Sequence, residues 1–302
     1  MDIVPLGPNT FHLQSGSNMG LIVRDGQALL IDTGLDGDAG RRALRVIEQQ
    51  GARLGAIVVT HAHADHFGGA SYLQQRLEVP LYAADLEAAM MEHPIIEPLY
   101  LFGGAAPIKG LRKKFTLAEP CEVTRTVAPG PLHIEPFELE IVPLPGHALN
   151  QVGVAVYDDG KHVLFCADAI FPEETIEKHK VLFCVDLDAT LETIKTLPDL
   201  SYDRFAPGHG PAYAAGAGIR SICQVNRARL EKIRDAVYEA LEAPQQTPAL
   251  VQRIAERFSL RITRPTAYFL TRTTILAALS SLESAGRATA AVEGNRLFWK
   301  RR

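Results

Sequence analysis

The sequence has few cysteines and no long apolar run. Its four cysteines, Cys121, Cys166, Cys184 and Cys223, form no Cys-x-x-Cys pair, so we expect reduced thiols of a cytoplasmic protein. No segment approaches the roughly 20 apolar residues that a membrane span needs. The N-terminus also lacks the charged start and apolar stretch of an export signal. These absences predict a cytoplasmic protein with no membrane partner.

What the sequence does contain is a dense group of metal-ligand side chains directly after an apolar segment. Residues 56–60 read Ala-Ile-Val-Val-Thr, and the next six residues include His61, His63, Asp65 and His66. Imidazole and carboxylate are the usual ligands of zinc and related ions. The alternative is a polar loop that happens to be rich in histidine. The tight spacing at a strand end favours metal binding.

Further candidate ligands follow other apolar segments. Residues 139–144 lead into His147, residues 162–167 lead into Asp168, and residues 202–206 lead into His209 by way of Pro207-Gly208. Each candidate stands at the end of a predicted strand, so all of them could meet along one sheet edge. A glycine precedes both His147 and His209, which allows the backbone to approach closely.

Together these motifs resemble those of the metallo-β-lactamase-fold hydrolases. The matching residues follow the family's order: Asp32-Thr33-Gly34, the run from His61 to Gly69, Pro145-Gly146-His147, Asp168 and His209. The resemblance covers about residues 1–215. It implies an α/β chain with the four-layer αββα metallo-β-lactamase fold, which agrees with alternating predicted strands and helices.

The resemblance also implies two divalent metal ions, with zinc as the expected ion and manganese or iron as alternatives. In the implied ligand set, three residues hold one ion, three hold the other and one bridges them: His61, His63 and His147; Asp65, His66 and His209; Asp168. Asp32 would support the metal loop rather than bind metal. The alternative for Asp32 is a simple turn residue.

Three positions indicate the branch of the family. His63 stands where flavo-diiron oxygen reductases carry glutamate, and Asp168 stands where familiar antibiotic-degrading members carry cysteine. This pattern resembles the thioesterase, lactonase and nuclease branches. Phe171 matches the thioesterase run and lacks the hydroxyl that lactonases often place nearby. Residues 148–150, Ala-Leu-Asn, depart from the family pattern and lose a hydroxyl contact.

The chemistry implied is hydrolysis by water that two adjacent ions share. Coordination lowers the pKa of water to roughly 7 and so supplies a bridging hydroxide at neutral pH. Asp65 and Asp168 would be the catalytic carboxylates, with Asp65 steering the hydroxide proton. We therefore expect a metal-dependent hydrolase of a small acyl ester, thioester or lactone.

Two parts of the sequence extend beyond the minimal fold. An apolar insertion at about residues 85–119 could form a lid, with Tyr100, Phe102 and Phe171 lining a substrate pocket; a packing arm or homodimer contact is the alternative. Residues 219–302 follow the catalytic unit of residues 1–218. They predict three helices and a hairpin, which together resemble a small winged-helix domain.

The C-terminal segment supports a rival function. Residues 243–302 contain ten Arg or Lys and three Glu, a net charge of +7, whereas the whole chain has −4. A basic winged helix can dock phosphate backbones, which would suit a phosphodiesterase or endoribonuclease acting on nucleic acid. No basic surface interleaved with aromatic residues accompanies it. A small-molecule substrate is therefore the leading expectation.

Overall fold

The computed structural model describes all 302 residues and contains two β-sheets packed face to face. The first sheet has seven strands in chain order: β1 (Asp2–Pro5), β2 (Thr10–Gln14), β3 (Met19–Arg24), β4 (Gln27–Ile31), β5 (Arg53–Val58), β6 (Leu81–Ala84) and β7 (Arg125–Val127). The second has six: β8 (Gly130–Ile134), β9 (Phe137–Pro143), β10 (Val152–Asp158), β11 (Lys161–Ala167), β12 (Arg204–Pro207) and β13 (Tyr213–Ala214).

Strand direction places the candidate ligands at one edge of the sheets. Strands β4 to β7 run parallel, and β11 runs parallel to β12. The carboxyl ends of parallel neighbours meet at the same edge. The metal loop follows β5, Asp168 follows β11 and His209 follows β12. The strand-end prediction from the sequence is therefore confirmed in its geometry.

Helices cover the outer face of each sheet. Those of the first half are α1 (Gly37–Gln49), α2 (Ala64–Phe67), α3 (Ala70–Leu77), α4 (Asp85–Glu92) and α5 (Ile96–Leu101). Those of the second half are α6 (Glu173–His179), α7 (Leu187–Thr196), α8 (Ala217–Ala240), α9 (Thr247–Arg257) and α10 (Pro265–Ser284). None of these ten helices combines the length and the apolar character needed to cross a bilayer.

Alternation along the strands divides the core into layers. On β3, Leu21 packs toward the helices of the first half, and its neighbour Ile22 packs between the sheets. On β11, Phe165 packs between the sheets and Leu164 packs toward the helices of the second half. Successive side chains on a strand point to opposite faces. Each sheet thus buries both faces, which confirms the predicted four-layer αββα fold.

The C-terminal segment contains the predicted helices and a terminal hairpin, β14 (Ala288–Glu293) with β15 (Arg296–Arg301). Leu250 and Ile254 of α9 and Leu279 of α10 share one apolar cluster with Leu164 of β11. These helices therefore belong to the fourth layer of the fold. The winged-helix interpretation and a domain boundary at residue 218 stay predictions.

The predicted insertion packs against the C-terminal segment. It contains α4, α5 and a short 3-10 turn, Lys109–Leu111. The rings of Phe102 and Phe269 lie 5.4 Å apart at their centroids, and the Thr266 hydroxyl donates to the Gly110 carbonyl at 2.9 Å. The insertion is therefore held in place by α10, as a packing arm would be. A lid role stays a prediction.

The shared core generates a stability prediction. Leu279 is fully buried, so Leu279→Ala should lower the free energy of unfolding by about 2–5 kcal/mol. Because its cluster spans both units, urea denaturation followed by circular dichroism should show one transition shifted as a whole. Leu297→Ala, at a side chain that is 46% exposed, is the control with little expected change. Two transitions, of which only one moves, would contradict a common core.

Candidate metal centre

The structure brings all seven predicted ligands to one place. Two groups of three place their ligand atoms within 4.8 Å of one another, and each matches one predicted ion site: His61, His63 and His147; Asp65, His66 and His209. A third group of the same size joins His61 and His66 to Asp168. The side chains come from four separate segments, and only the tertiary fold can assemble them.

Asp168 lies between the two groups. One carboxylate oxygen, Oδ2, is 3.3 Å from His147 Nε2 and 3.5 Å from His209 Nε2. The other, Oδ1, is 3.4 Å from His66 Nε2. A carboxylate that reaches ligands of both groups has the placement that a bridge between two ions requires. Within the first group, His147 Nε2 lies 2.9 Å from His63 Nδ1.

The donor atoms fit a metal because the protein leaves them without other partners. His61 Nε2, His66 Nε2 and Asp168 Oδ1 are sealed from solvent and make no hydrogen bond. Burying an unpaired polar atom is costly, and three of them in one cluster form a donor set that a metal ion would satisfy. Imidazole nitrogen and carboxylate oxygen suit zinc and related divalent ions.

Electrostatics within the cluster separate the histidines into two classes. Burial and neighbouring histidines lower the pKa of His63 to about 3, which leaves a neutral imidazole able to coordinate metal. Burial also opposes the charged form of His209, but Asp168 and Asp65 outweigh it and raise the pKa of His209 to about 10. The same contest raises the pKa of His66. The buried carboxylates of the cluster therefore favour the charged forms of His66 and His209.

The ring nitrogens that face away from the centre are held by hydrogen bonds. His147 Nδ1 bonds to the Phe183 carbonyl at 3.1 Å, and His209 Nδ1 bonds to the Gly16 carbonyl at 2.9 Å. A carbonyl oxygen only accepts, so each Nδ1 carries the proton. That tautomer leaves Nε2 free for a metal.

Asp32 contacts the metal loop rather than the centre. Its Oδ2 lies 2.8 Å from His66 Nδ1, and its Oδ1 accepts from the backbone N–H of Thr60 at 2.8 Å. The Thr60 hydroxyl also bonds to this carboxylate. Asp32 is buried in the left-handed region of backbone space at φ 61°. These contacts are those expected of a side chain that orients His66.

Backbone constraints appear where two ligands follow their strands. Ala167, directly before Asp168, has φ 48°, an uncommon conformation for a residue with a Cβ. A Cβ at Gly208 would lie 2.3 Å from Asp168 Oδ1 and 2.6 Å from His66 Cε1. The glycine before His209 is therefore required for close approach, as the sequence suggested.

Glu87 is a residue that sequence analysis missed. It lies on α4, is 1% exposed, and accepts from the backbone N–H of Ala62 at 2.8 Å and of Asn150 at 2.9 Å. Asn150 also donates its side-chain amide to Asp85 at 2.6 Å. Glu87 thus ties the loop that carries His61 and His63 to the loop that carries His147. No local sequence signal distinguishes it from a solvated helix acid.

Aromatic rings flank the centre on one side. The Phe171 ring is stacked on His209 with 6.0 Å between centroids, so it lies beside the cluster; its role in a substrate pocket stays a prediction. Phe183, which sequence analysis missed, lies 5.4 Å from His63 and 5.5 Å from His147. Phe102 instead packs against Phe269 of α10.

The open side of the centre is defined by the two least buried ligands. The side chains of Asp65 and His209 are 28% and 20% exposed, whereas the other five are buried. The Ser17 hydroxyl, in the loop between β2 and β3, donates to Asp65 Oδ2 at 2.8 Å. Solvent therefore reaches the centre from this side.

The chain is similar in sequence to hydrolases and to a nuclease. The chain is 25% identical over 220 residues to "Probable metallo-hydrolase YqgX" of Bacillus subtilis, which covers 69% of this chain and 89% of that protein. It is 32% identical over 145 residues to a hydroxyacylglutathione hydrolase of Nitrosomonas europaea. That match covers 48% of this chain and 41% of the relative. It is 36% identical over 85 residues to "Exodeoxyribonuclease YycJ" of Bacillus anthracis. That match covers 28% of this chain and 32% of the relative.

Solved structures show the same fold. A β-lactamase domain protein from Burkholderia ambifaria aligns with 100% of this chain and 94% of its own, at a TM-score of 0.75 and 20% identity. Residues 13–209, which contain all seven clustered side chains, match the metallo-β-lactamase superfamily. On this match and this geometry, the chain belongs to the metallo-β-lactamase superfamily.

Proposed function

We propose that the protein is a dinuclear metal-dependent hydrolase of small acyl esters, thioesters or lactones. Membership of the superfamily supports hydrolysis as the reaction class. The observation that carries the dinuclear part is the pair of three-residue groups with Asp168 between them. The Asp168 carboxylate lies within 3.5 Å of His147 in one group and of His66 and His209 in the other.

When bound, two divalent ions supply an activated water and polarise the scissile oxygen. His61, His63 and His147 would hold one ion, Asp65, His66 and His209 would hold the second, and Asp168 would contact both. Asp65 lies at the open edge, where its carboxylate can accept a proton from the attacking water. The hydrogen bond from Ser17 orients that carboxylate. Asp32 fixes the ring of His66.

The apolar surroundings favour an acyl substrate. Phe171 and Phe183 lie against His209, His63 and His147 and would contact an acyl chain beside the reacting carbonyl. Exclusion of water by such rings strengthens electrostatic interactions at the reacting atoms. The name of the Nitrosomonas relative supports a thioester among the candidate substrates. Zinc is the ion that we propose.

Nucleic-acid cleavage is the second candidate, and the short match to an exodeoxyribonuclease favours it. The basic C-terminal segment is its proposed docking surface. Part of that charge is engaged locally, however. Arg257 pairs with Glu239, Lys300 pairs with Glu293, and Arg301 donates to the carbonyls of Tyr238 and Glu239. Acyl hydrolysis therefore remains the leading proposal.

One experiment separates the two candidates. Protein loaded with zinc and assayed in parallel against thioesters, lactones, phosphodiesters and short RNA should turn over the acyl substrates. Chelator-treated protein should lose that activity and regain it on addition of zinc. Cleavage of RNA without any acyl turnover would replace the leading proposal with the second candidate.

Removing the shared carboxylate tests the dinuclear arrangement. Asp168→Ala should cost one of two bound ions and most of the activity, because Asp168 contacts both ligand groups. Elemental analysis of the purified variant measures the metal content directly. Asp235→Ala, an exposed carboxylate on α8, should retain both ions. Full metal content and full rate in Asp168→Ala would show that Asp168 does not bridge.

Glu87 provides a test of how the ligand loops are held. Glu87→Gln keeps the size of the side chain, but its NH2 group cannot accept, so one of the two backbone N–H groups loses its partner. Loss of a supporting contact typically lowers metal affinity by roughly 10- to 100-fold. Competition with a chromophoric zinc chelator measures this change.

The matched control for Glu87→Gln is Glu92→Gln, because Glu92 lies exposed on the same helix. Its zinc affinity should equal that of the unmodified protein. An unchanged affinity in Glu87→Gln itself would mean that the two hydrogen bonds do not position the ligands.

A further inference from the structure

Asn18 holds the backbone on both sides of His209. Its side-chain amide donates to the Pro207 carbonyl at 3.1 Å and to the Gly210 carbonyl at 2.8 Å. Its backbone N–H donates to the Gly208 carbonyl at 2.7 Å. Asn18 is 3% exposed, so water competes little for these bonds. The segment that carries His209 is therefore bonded to Asn18 at three of its residues.

The partners of this side chain require an amide at position 18. The side-chain oxygen of Asn18 accepts from the backbone N–H of Ser15 at 3.1 Å, while its NH2 group donates to the two carbonyl oxygens. A carbonyl oxygen only accepts and a backbone N–H only donates, so these partners determine the orientation of the amide. An aspartate would place an acceptor against two acceptors. Asn18 therefore closes the loop of residues 15–18 and joins it to the His209 segment.

This loop, between β2 and β3, contacts two ligands of one group only. The first group of candidate ligands is His61, His63 and His147, and the second group is Asp65, His66 and His209. The Gly16 carbonyl accepts from His209 Nδ1 at 2.9 Å, and the Ser17 hydroxyl donates to Asp65 Oδ2 at 2.8 Å. None of the hydrogen bonds of the loop reaches a side chain of the first group.

The first group is held by other elements. Glu87 of α4 accepts from the backbone N–H of Ala62, between two ligands of this group, and from that of Asn150, in the loop that carries the third. The Phe183 carbonyl accepts from His147 Nδ1. These supports lie outside residues 15–18. A change in the loop should therefore act on the second group and spare the first.

We propose that Asn18 is a positioning residue that sets the affinity of the second group for a divalent ion and leaves that of the first group unchanged. This inference rests on the proposed dinuclear centre. Asn18 makes no hydrogen bond to a ligand side chain and acts through the backbone of His209. In Asn18→Ala, the Gly210 carbonyl would lose the one hydrogen-bond donor that it has. Loss of a supporting contact typically lowers metal affinity by roughly 10- to 100-fold.

The test measures zinc affinity by calorimetric titration in two backgrounds. His63→Ala removes a ligand from the first group and leaves the second complete, whereas His209→Ala does the reverse. Added to His63→Ala, Asn18→Ala should raise the dissociation constant for zinc by roughly 10- to 100-fold. Added to His209→Ala, it should leave the dissociation constant unchanged. Elemental analysis of each loaded protein gives the number of ions bound.

Asn9→Ala is the matched control. Asn9 also donates through its side chain and its backbone N–H to a residue far along the chain, Asp158, which is not a candidate ligand. Its replacement should leave zinc affinity unchanged in both backgrounds. Ser17→Ala is a milder change that can be used if Asn18→Ala does not fold, because it removes a contact of the same loop to Asp65. It should weaken zinc binding in the His63→Ala background alone.

An equal loss of zinc affinity in both backgrounds would overturn the proposal, because Asn18 would then support the fold as a whole. An unchanged affinity when Asn18→Ala is added to His63→Ala would overturn it as well.

These zinc measurements involve no substrate, so they are separate from the test of acyl hydrolysis. If no acyl substrate is hydrolysed but Asn18→Ala weakens zinc binding in the His63→Ala background alone, the proposed acyl hydrolysis fails and the positioning role stands. If acyl substrates are hydrolysed but Asn18→Ala affects both backgrounds alike, the positioning role fails and the proposed function stands.

Discussion

The site depends on one constraint: buried imidazole and carboxylate side chains lie close to one another. His61 Nε2, His66 Nε2 and Asp168 Oδ1 are removed from water and have no hydrogen-bond partner. Burial removes the interactions of these atoms with water. Bonds to a ligand, or protonation, must replace those interactions. The neighbouring carboxylates raise the pKa of His66 and His209, which favours their charged forms. A metal ion binds the neutral imidazole, so its binding there would release a proton.

The fold meets this constraint by placing rigid elements behind each ligand. Hydrogen bonds to the Phe183 and Gly16 carbonyls fix His147 and His209, and Asp32 fixes His66. These contacts join segments far apart in the chain, as in the link of 193 residues between Gly16 and His209. Ligand geometry therefore depends on packing of the whole sandwich. The C-terminal helices contribute because they complete the apolar layer behind β11.

Much of the fold and of the ligand cluster could be predicted from the sequence, for a specific physical reason. The candidate ligands follow the ends of apolar strands. The local residue pattern and the position of each strand in its sheet therefore predict the same location for them. Glu87 and Glu92 show where this logic ends. Both are acids on α4, yet one is buried against two ligand loops and the other is exposed. Both accept from a backbone N–H far along the chain, but only Glu87 bonds to loops that carry candidate ligands, and such contacts leave no local pattern. The same holds for Phe183 and for the packing of the insertion against α10.

The insertion supports the candidate centre through its first helix. That helix carries Glu87, which accepts from the backbone of two loops that carry candidate ligands. Contact with α10 through Phe102 and Gly110 fixes this insertion relative to the core. The candidate metal ligands and the insertion both lie within residues 13–209, the range of the superfamily match. Because Glu87 belongs to the insertion and to none of the ligand loops, packing of the insertion against α10 also bears on how the candidate ligands are held.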